Sequence, residues 1–327
     1  MPAYNVEKYI AEAIDSIIAQ TYKDWELIVV DDCSKDLTYE IVEQYVNQYP
    51  NIKLIRRKEN SGGCRLPRFD GILATQGEFV CPIDSDDFIE PEYLQKMVQR
   101  QKETDADIVL GRMVFCGENG EIQSRSIPVY DYDMSMVKSG RDACKLTIGS
   151  WNIAMNGLLA NANLYKNYIK ENYTLGQNYF MMDEVDHRKF LYTANVVSMI
   201  DARYYYRQQV NSIVHSKKPN YFLSIEAAKS LYNWVIAEYG NDNNIIEKLK
   251  REYVEKVYRL YILYFQCRKE YSFEERKFVE NICSEAYNFI KIHDIVPRNK
   301  KHWFISKSKL FLNLLARIVY LYGKIRK

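Results

Sequence analysis

The chain has 327 residues, 47% of them hydrophobic, and 45 Lys and Arg against 43 Asp and Glu give a net charge of only +2. That supports one large or two modest globular domains with a real core, and argues against the global basic field of a nucleic-acid binder. Seven cysteines without a C-x-x-C pair argue against a disulfide framework or a structural zinc site, and with no signal-like segment and no apolar run of about 18 residues the pattern expected is that of a cytoplasmic protein.

Val6, Tyr9, Ile10, Ala13, Ile14, Ile17 and Ile18 recur at helical spacing, 21–24 breaks the pattern, and 27–30 reads as a buried strand. A helix over 38–49 ends near Pro50, and 52–55 is a short strand before the Asn60-Ser61-Gly62-Gly63 loop. A short helix over 68–75 closes at Gly77, and a strand over 78–83 follows. Then come a helix over 91–104, a strand over 108–115, and a Gly117-Glu118-Asn119-Gly120 turn that folds 122–127 back as a hairpin partner. Helices over 140–148, 154–167 and 183–192, with strands over 196–200 and 203–208, complete a first unit; from Tyr221 onward the patterns are helical, over 222–239, 244–268, 273–292 and 303–323. The expected fold class is α/β, a Rossmann-like and mostly parallel sheet with helices on both faces, over 1–220, followed by a helical region over 221–327. The usual first, central strand of such a sheet would lie before residue 1, so Met1 is expected to be an internal methionine of a longer chain.

Two acidic clusters end strand-like runs: Asp31 and Asp32 after 27–30, and Asp84, Asp86 and Asp87 in the segment Phe79-Val80-Cys81-Pro82-Ile83-Asp84-Ser85-Asp86-Asp87. In an open α/β sheet ligands bind at the carboxyl ends of the strands, where both clusters can meet one ligand. Like charges converging there repel unless a divalent cation or a donor-rich ligand compensates them, which points to metal-bound phosphate chemistry. Asp and Ser after a strand are also ordinary turn and cap residues, a reading that each cluster alone would permit.

The residues Pro2-Ala3-Tyr4-Asn5, Gln20-Thr21-Tyr22, Val30-Asp31-Asp32-Cys33-Ser34, Asn60-Ser61-Gly62, Gly77-Glu78-Phe79 and Asp84-Ser85-Asp86-Asp87 together resemble glycosyltransferase family 2, the inverting enzymes with the A-type nucleotide-diphospho-sugar transferase fold. The likeness covers roughly 1–215 and is specific in its first 95 residues. It implies that Pro2 and Tyr4 flank the nucleotide, that Asp32 accepts from the base of a UDP-sugar donor, and that Arg68 lies near the nucleotide. It also implies that Asp84-Ser85-Asp86 is the D-x-D motif, with Asp86 nearest an Mn2+ or Mg2+ ion. Asp84 and Asp87, from the same acidic cluster, are further candidate ligands, and His215, in the segment after the last strand, is either a metal or phosphate ligand or a structural residue. The chemistry agrees, since a hard cation takes one or two carboxylates plus substrate phosphates and stabilises a diphosphate leaving group. Asp31 is expected to satisfy local backbone donors instead.

Inversion needs a general base for the acceptor hydroxyl. The resemblance points to a pair of acids before a helix, here Asp183 and Glu184 in Met181-Met182-Asp183-Glu184-Val185-Asp186-His187-Arg188, in the reverse of the family's order; Asp183 is favoured slightly. Acids in a first helical turn also simply suit the helix dipole. His187 is a candidate metal or phosphate ligand but sits in no ligand-spaced pair, which favours a structural role, and Trp151 either stacks on an acceptor sugar or belongs to the core. The acceptor implied is a glycan or lipid-linked glycan in cell-surface polysaccharide synthesis, with no role for nucleic acid. The basic, apolar 303–327 tail either lies in the headgroup region on the inner face of the plasma membrane or packs on the preceding helices or on a second subunit of a homodimer. A sugar nucleotidyltransferase and a non-catalytic scaffold of a glycan-assembly complex are the competing readings. The first would want a Gly-rich basic loop after its opening strand, where Pro2-Ala3-Tyr4-Asn5 stands.

Overall fold

The structure, a computed structural model, describes residues 1–122, 137–149, 157–173, 181–209, 218–297, 308–310, 312–314 and 317. The chain divides into two compact units, one of Met1–Thr147, Trp151–Asn178 and Asp186–Ser212, the other of Ile148–Ser150, Tyr179–Val185 and Ile213–Lys327.

In the first unit, β1 (Pro2–Ala3), β2 (Leu27–Asp31) and β3 (Ile52–Arg56) form a parallel sheet in that order. Where the sequence places the first strand ahead of residue 1, the structure contains this two-residue strand, in register Pro2 with Val30 and Ala3 with Asp31. Every residue of β2 is buried, as expected of an apolar run covered on both faces. Helix α1 (Ile10–Ile18) buries Ile10, Ala13, Ile14 and Ile17 on one stripe. Ahead of it, the amides of Val6 and Glu7 donate to Thr38 Oγ1 at 2.8 Å and Asp36 Oδ2 at 3.1 Å. Helices α2 (Thr38–Gln48) and α3 (Arg65–Ala74) follow, and α3 packs on β1 and β2.

A second, mixed sheet is built from β4 (Phe79–Val80), β5 (Phe88–Ile89), β6 (Ile108–Cys116), β7 (Val137–Lys138), β8 (Leu159–Asn161) and β9 (Val197–Arg207). Its order is β4-β8-β6-β9-β5, with β7 also on β9. The long pair β6 and β9 runs parallel and the other pairings are antiparallel. Helices α4 (Tyr93–Thr104), α5 (Gly140–Lys145) and α6 (Ala162–Asn172), with α7 (Met182–Thr193) from Asp186 onward, complete the α/β unit. The core includes Ile10, Ile14, Val29, Tyr93, Met97, Val109 and Tyr204.

Three local expectations change. The strand expected over 78–83 shrinks to Phe79–Val80, because Pro82 cannot donate to a ladder and its carbonyl instead accepts from Gly157 N–H at 2.6 Å. The helix expected over 154–167 begins only at Ala162: Leu159 and Ala160 pair with Val109 and Ile108, and Asn161 caps α6 through Leu164 N–H at 3.1 Å. The two strands expected over 196–208 are one, with a register shift between Leu110 and Arg112 on its neighbour. The Gly117–Gly120 turn forms and bridges Cys116 to Ile122; the rest of the expected hairpin partner lies outside the described residues.

Gly157 has φ +78° and fits a slot between two tyrosines. A Cβ there would stand 2.4 Å from the Tyr204 ring and 2.6 Å from the Tyr93 hydroxyl, so only glycine is compatible.

The second unit contains α8 (Ser224–Tyr239), α9 (Asn243–Cys267) and α10 (Phe273–Ile292), close to the expected helices. Asp242 caps α9, and Ser272 and Glu275 form a reciprocal capping box on α10. Tyr232, Tyr253 and Phe289 knit the three helices together. Most of the 303–327 tail lies outside the described residues; of those described, Leu312 is buried and Lys309 donates to Ser284 Oγ at 2.9 Å. Among the described residues no helix is long and apolar enough to cross a membrane.

Candidate functional site

The loops after β1 and β2 are laced into one rim. Asn5, at φ +50°, donates its amide to Ser34 Oγ at 3.0 Å and accepts from Lys35 N–H at 2.8 Å, while Leu37 N–H donates to Glu7 Oε2 at 2.9 Å. Pro2 is buried in β1, and Tyr4 beside it is 44% exposed. Asp31 and Asp32 are both buried but do different work. Asp31 accepts from Ser34 N–H at 3.2 Å, the local role expected of it. Asp32 reaches the next loop, accepting from Asn60 Nδ2 at 2.9 Å, Ser61 N–H at 3.0 Å and Ser61 Oγ at 2.9 Å, with Arg57 Nε 3.0 Å from its other oxygen. Burial outweighs these donors and lifts its pKa above the ordinary value.

The second cluster is a tight turn between β4 and β5. One carboxylate oxygen from each of Asp84, Asp86 and Asp87 lies within 4.8 Å of the others. Ser85 is buried between them. The buried guanidinium of Arg68, on α3, donates to Asp84 Oδ1 at 2.8 Å, so this helix ties the turn to β1 and β2. Asp87 is almost fully buried and holds Tyr204 Oη at 2.7 Å and Arg207 N–H at 2.8 Å, one on each oxygen. Asp86 accepts from Gln209 Nε2 at 2.7 Å. An all-carboxylate donor set of this span fits a hard divalent cation such as Mg2+ or Mn2+, with Asp84 and Asp86 the better placed pair because both Asp87 oxygens are already engaged with β9.

Burial, then the neighbouring Asp84 charge, pushes the Asp86 carboxyl from 3.8 up to about 6. Burial and the Asp86 and Asp84 charges push Asp87 the same way. In metal-free protein between pH 4 and 6 the folded chain therefore holds a proton on Asp86 that the unfolded chain has released, so this group's contribution to stability falls as pH rises. Asp86→Asn lacks that titration. Between pH 4 and 7 its unfolding free energy should gain on that of the natural protein by about 2–3 kcal/mol. Denaturant melts in EDTA check this; a difference that does not move with pH would contradict it.

Residues that sequence reading passed over complete the turn. Arg207, at the end of β9, sends Nε to the Asp86 carbonyl at 2.9 Å, Nη1 to the Glu118 carbonyl at 2.7 Å and Nη2 to Glu12 at 2.6 Å. Tyr204 and Gln209 sit on the same stretch. Each lies about 120 residues from the acids in sequence, with no local pattern to mark it.

Asp183 and Glu184 occupy the first turn of α7 and belong to the second unit. The residue before that helix, Met181, has φ +68°, and its sulfur accepts from Lys256 Nζ at 3.1 Å. Burial lowers the Lys256 pKa against the opposing pull of Glu184 and Glu252. One turn further, Asp186 is buried in the first unit, bonded to Arg65 and to Tyr168 Oη at 3.2 Å. His187 is buried beside Arg68 and Arg188, and burial together with those cations keeps its imidazole well below its ordinary pKa; it is a core residue here. His215 and Trp151 lie outside the described residues.

The sequence profile of Glycosyl transferase family 2 matches residues 1–158. A poly(ribitol-phosphate) beta-glucosyltransferase of Bacillus spizizenii is 42% identical over 115 residues, 35% of this chain and 18% of that protein. The poly(ribitol-phosphate) beta-N-acetylglucosaminyltransferase TarS of Staphylococcus aureus is 31% identical over 268 residues, 77% of this chain and 43% of that protein. The chain thus spans less than half the length of these two curated relatives. The crystal structure of S. aureus TarS 1-349 in complex with UDP-GlcNAc matches all of this chain and 90% of that one, with a TM-score of 0.64 at 22% identity, so the two share a fold.

Proposed function

Residues 1–158 belong to glycosyl transferase family 2, and from that premise we propose that the chain transfers a sugar from a UDP-sugar to a hydroxyl of a cell-surface glycan or polyol-phosphate polymer, with inversion at C1. The observation that carries this reading is the acidic turn, where Asp84, Asp86 and Asp87 converge within 4.8 Å. Asp84 and Asp86 would hold Mn2+ or Mg2+. A divalent cation there supplies charge neutralisation for the departing diphosphate.

The protein's own groups do the rest. Arg68, fixed on Asp84, adds positive charge near the nucleotide. Asp32, which holds the Asn60–Ser61 loop and pairs with Arg57, accepts from the imide N–H of uracil. Tyr4, partly exposed on the same rim, stacks against the base. Asp183 or Glu184 removes the proton from the acceptor hydroxyl as it attacks C1 from the face opposite the leaving group. The names of the relatives favour a hexosyl or N-acetylhexosaminyl donor and a polyol-phosphate acceptor.

Incubation with a panel of UDP-sugars and Mn2+ tests the reading. Transfer, or slow release of free sugar without an acceptor, is the expected result. Pyrophosphate released from a nucleoside triphosphate and a sugar phosphate would instead identify a nucleotidyltransferase, and failure to bind any nucleotide would identify a scaffold.

A further inference from the structure

The three carboxylates of the 84–87 turn repel one another, so something must hold the turn in shape before any cation arrives. The end of β9 does this at three successive points. The Asp84 amide donates to Tyr204 Oη at 3.1 Å, and that hydroxyl donates in turn to Asp87 Oδ2 at 2.7 Å. Arg207 N–H takes the other Asp87 oxygen at 2.8 Å, Arg207 Nε takes the Asp86 carbonyl at 2.9 Å, and Gln209 Nε2 takes Asp86 Oδ2 at 2.7 Å. Antiparallel pairing of Ile89 with Tyr204 and Phe88 with Tyr205 anchors the exit of the turn to the same strand. Tyr204 itself is fully buried, edge-on to Tyr93 with ring centroids 6.5 Å apart, and braced by Gly157.

We propose that Tyr204 is the positioning residue of the cation site, and that the end of β9, through Tyr204 and Gln209, pre-forms the acidic turn for the metal. The inference rests on reading that turn as a cation site. Because the hydroxyl both accepts from Asp84 and donates to Asp87, it fixes the backbone of the first acid relative to the carboxylate of the last. Phenylalanine in its place keeps the ring and the core packing but leaves the Asp84 amide without this acceptor and one Asp87 oxygen without its donor. Outer groups that orient metal ligands typically change metal affinity by about 10- to 100-fold, and that is the loss expected here.

Tyr93 is the matched control. Its hydroxyl is equally buried and donates to the Gly157 carbonyl, away from the acids. Mn2+ binding to the purified full chain, followed by loss of the free-ion paramagnetic resonance signal, should weaken about 10-fold or more in Tyr204→Phe and stay within about twofold of the natural protein in Tyr93→Phe, although both variants lose buried hydrogen bonding, two bonds at Tyr204 and one at Tyr93, and both melt earlier. In turnover assays Tyr204→Phe should raise the Mn2+ concentration needed for half-maximal rate far more than it lowers the rate at saturating Mn2+. If the natural protein binds no Mn2+, with or without UDP, the cation-site reading fails and this inference with it. If the natural protein binds and Tyr204→Phe binds equally tightly, the role of Tyr204 is wrong while the cation site stands. Should Tyr204→Phe not fold, Gln209→Leu, at the rim of the turn, carries the same expectation for Mn2+, and unchanged binding there overturns the pre-forming role of β9.

Discussion

Exchange of Asp86 for asparagine is expected to lower turnover by two to three orders of magnitude, on the order of 3–4 kcal/mol of lost transition-state stabilisation, while the metal-free fold becomes more resistant to unfolding above pH 6. The two effects have one origin. The protein compensates the Asp86 charge poorly: burial and Asp84 hold its pKa up at about 6, with Arg207 and Gln209 opposing them without cancelling them. A carboxylate kept in that condition stores repulsion that a cation relieves, and the asparagine variant neither stores the repulsion nor holds the cation. The contrast with Asp84 sharpens the test. Asp84 accepts from the buried guanidinium of Arg68, so Asp84→Asn should lose activity and also stability, in line with the several kcal/mol lost when one partner of a buried pair is removed. Turnover with UDP-sugar and Mn2+, set beside thermal melts in EDTA, gives both readings. An Asp86→Asn protein with near-full turnover would end the assignment.

The second large effect is expected on α7. Of Asp183→Asn and Glu184→Gln, one should reduce kcat by about 10^2- to 10^4-fold, the usual contribution of a positioned base, with little change in KM for the donor, and the other should cost less than about tenfold. Both acids sit in the first turn of the helix, where a negative charge is welcome whether or not it does chemistry. Stability therefore cannot separate them, and kinetics must. The amide that removes the base should also flatten the acidic limb of the kcat profile, because no group remains there to be protonated. Retention of near-full turnover by both variants would place the base elsewhere.

Much of the architecture was legible because the elements are periodic or punctuated. The apolar runs 27–30 and 108–115 and the stripe of Ile10, Ala13, Ile14 and Ile17 could hardly be anything but a buried strand or a helix face. The acids were legible for a different reason, since a charge at the end of an apolar run demands an explanation in the sequence itself. The misreadings occurred where a local pattern was outvoted by tertiary pairing. The segment 154–167 is expected as a helix, yet Leu159 and Ala160 are held as strand by Ile108 and Val109, and Gly157, a poor helix residue, stands at φ +78°. The cap Asn161, ahead of Ala162, was the available sign that the helix began there. What supports the acids was invisible for want of any signal: Tyr204 and Arg207 look like ordinary strand residues, and only the folded chain brings them to Asp84, Asp86 and Asp87. A site's charged tip can be read from a line of text, whereas its scaffold comes from strands far away along the chain.

The slot at Gly157 carries this dependence to a residue outside the acidic turn. Any bulk there must displace the Tyr204 ring, because the space is closed on its other side by the Tyr93 hydroxyl. Inherited variation at this one position would thus present as a catalytic lesion with every recognisable motif of the gene product intact, and a scan of those motifs would pass it as healthy.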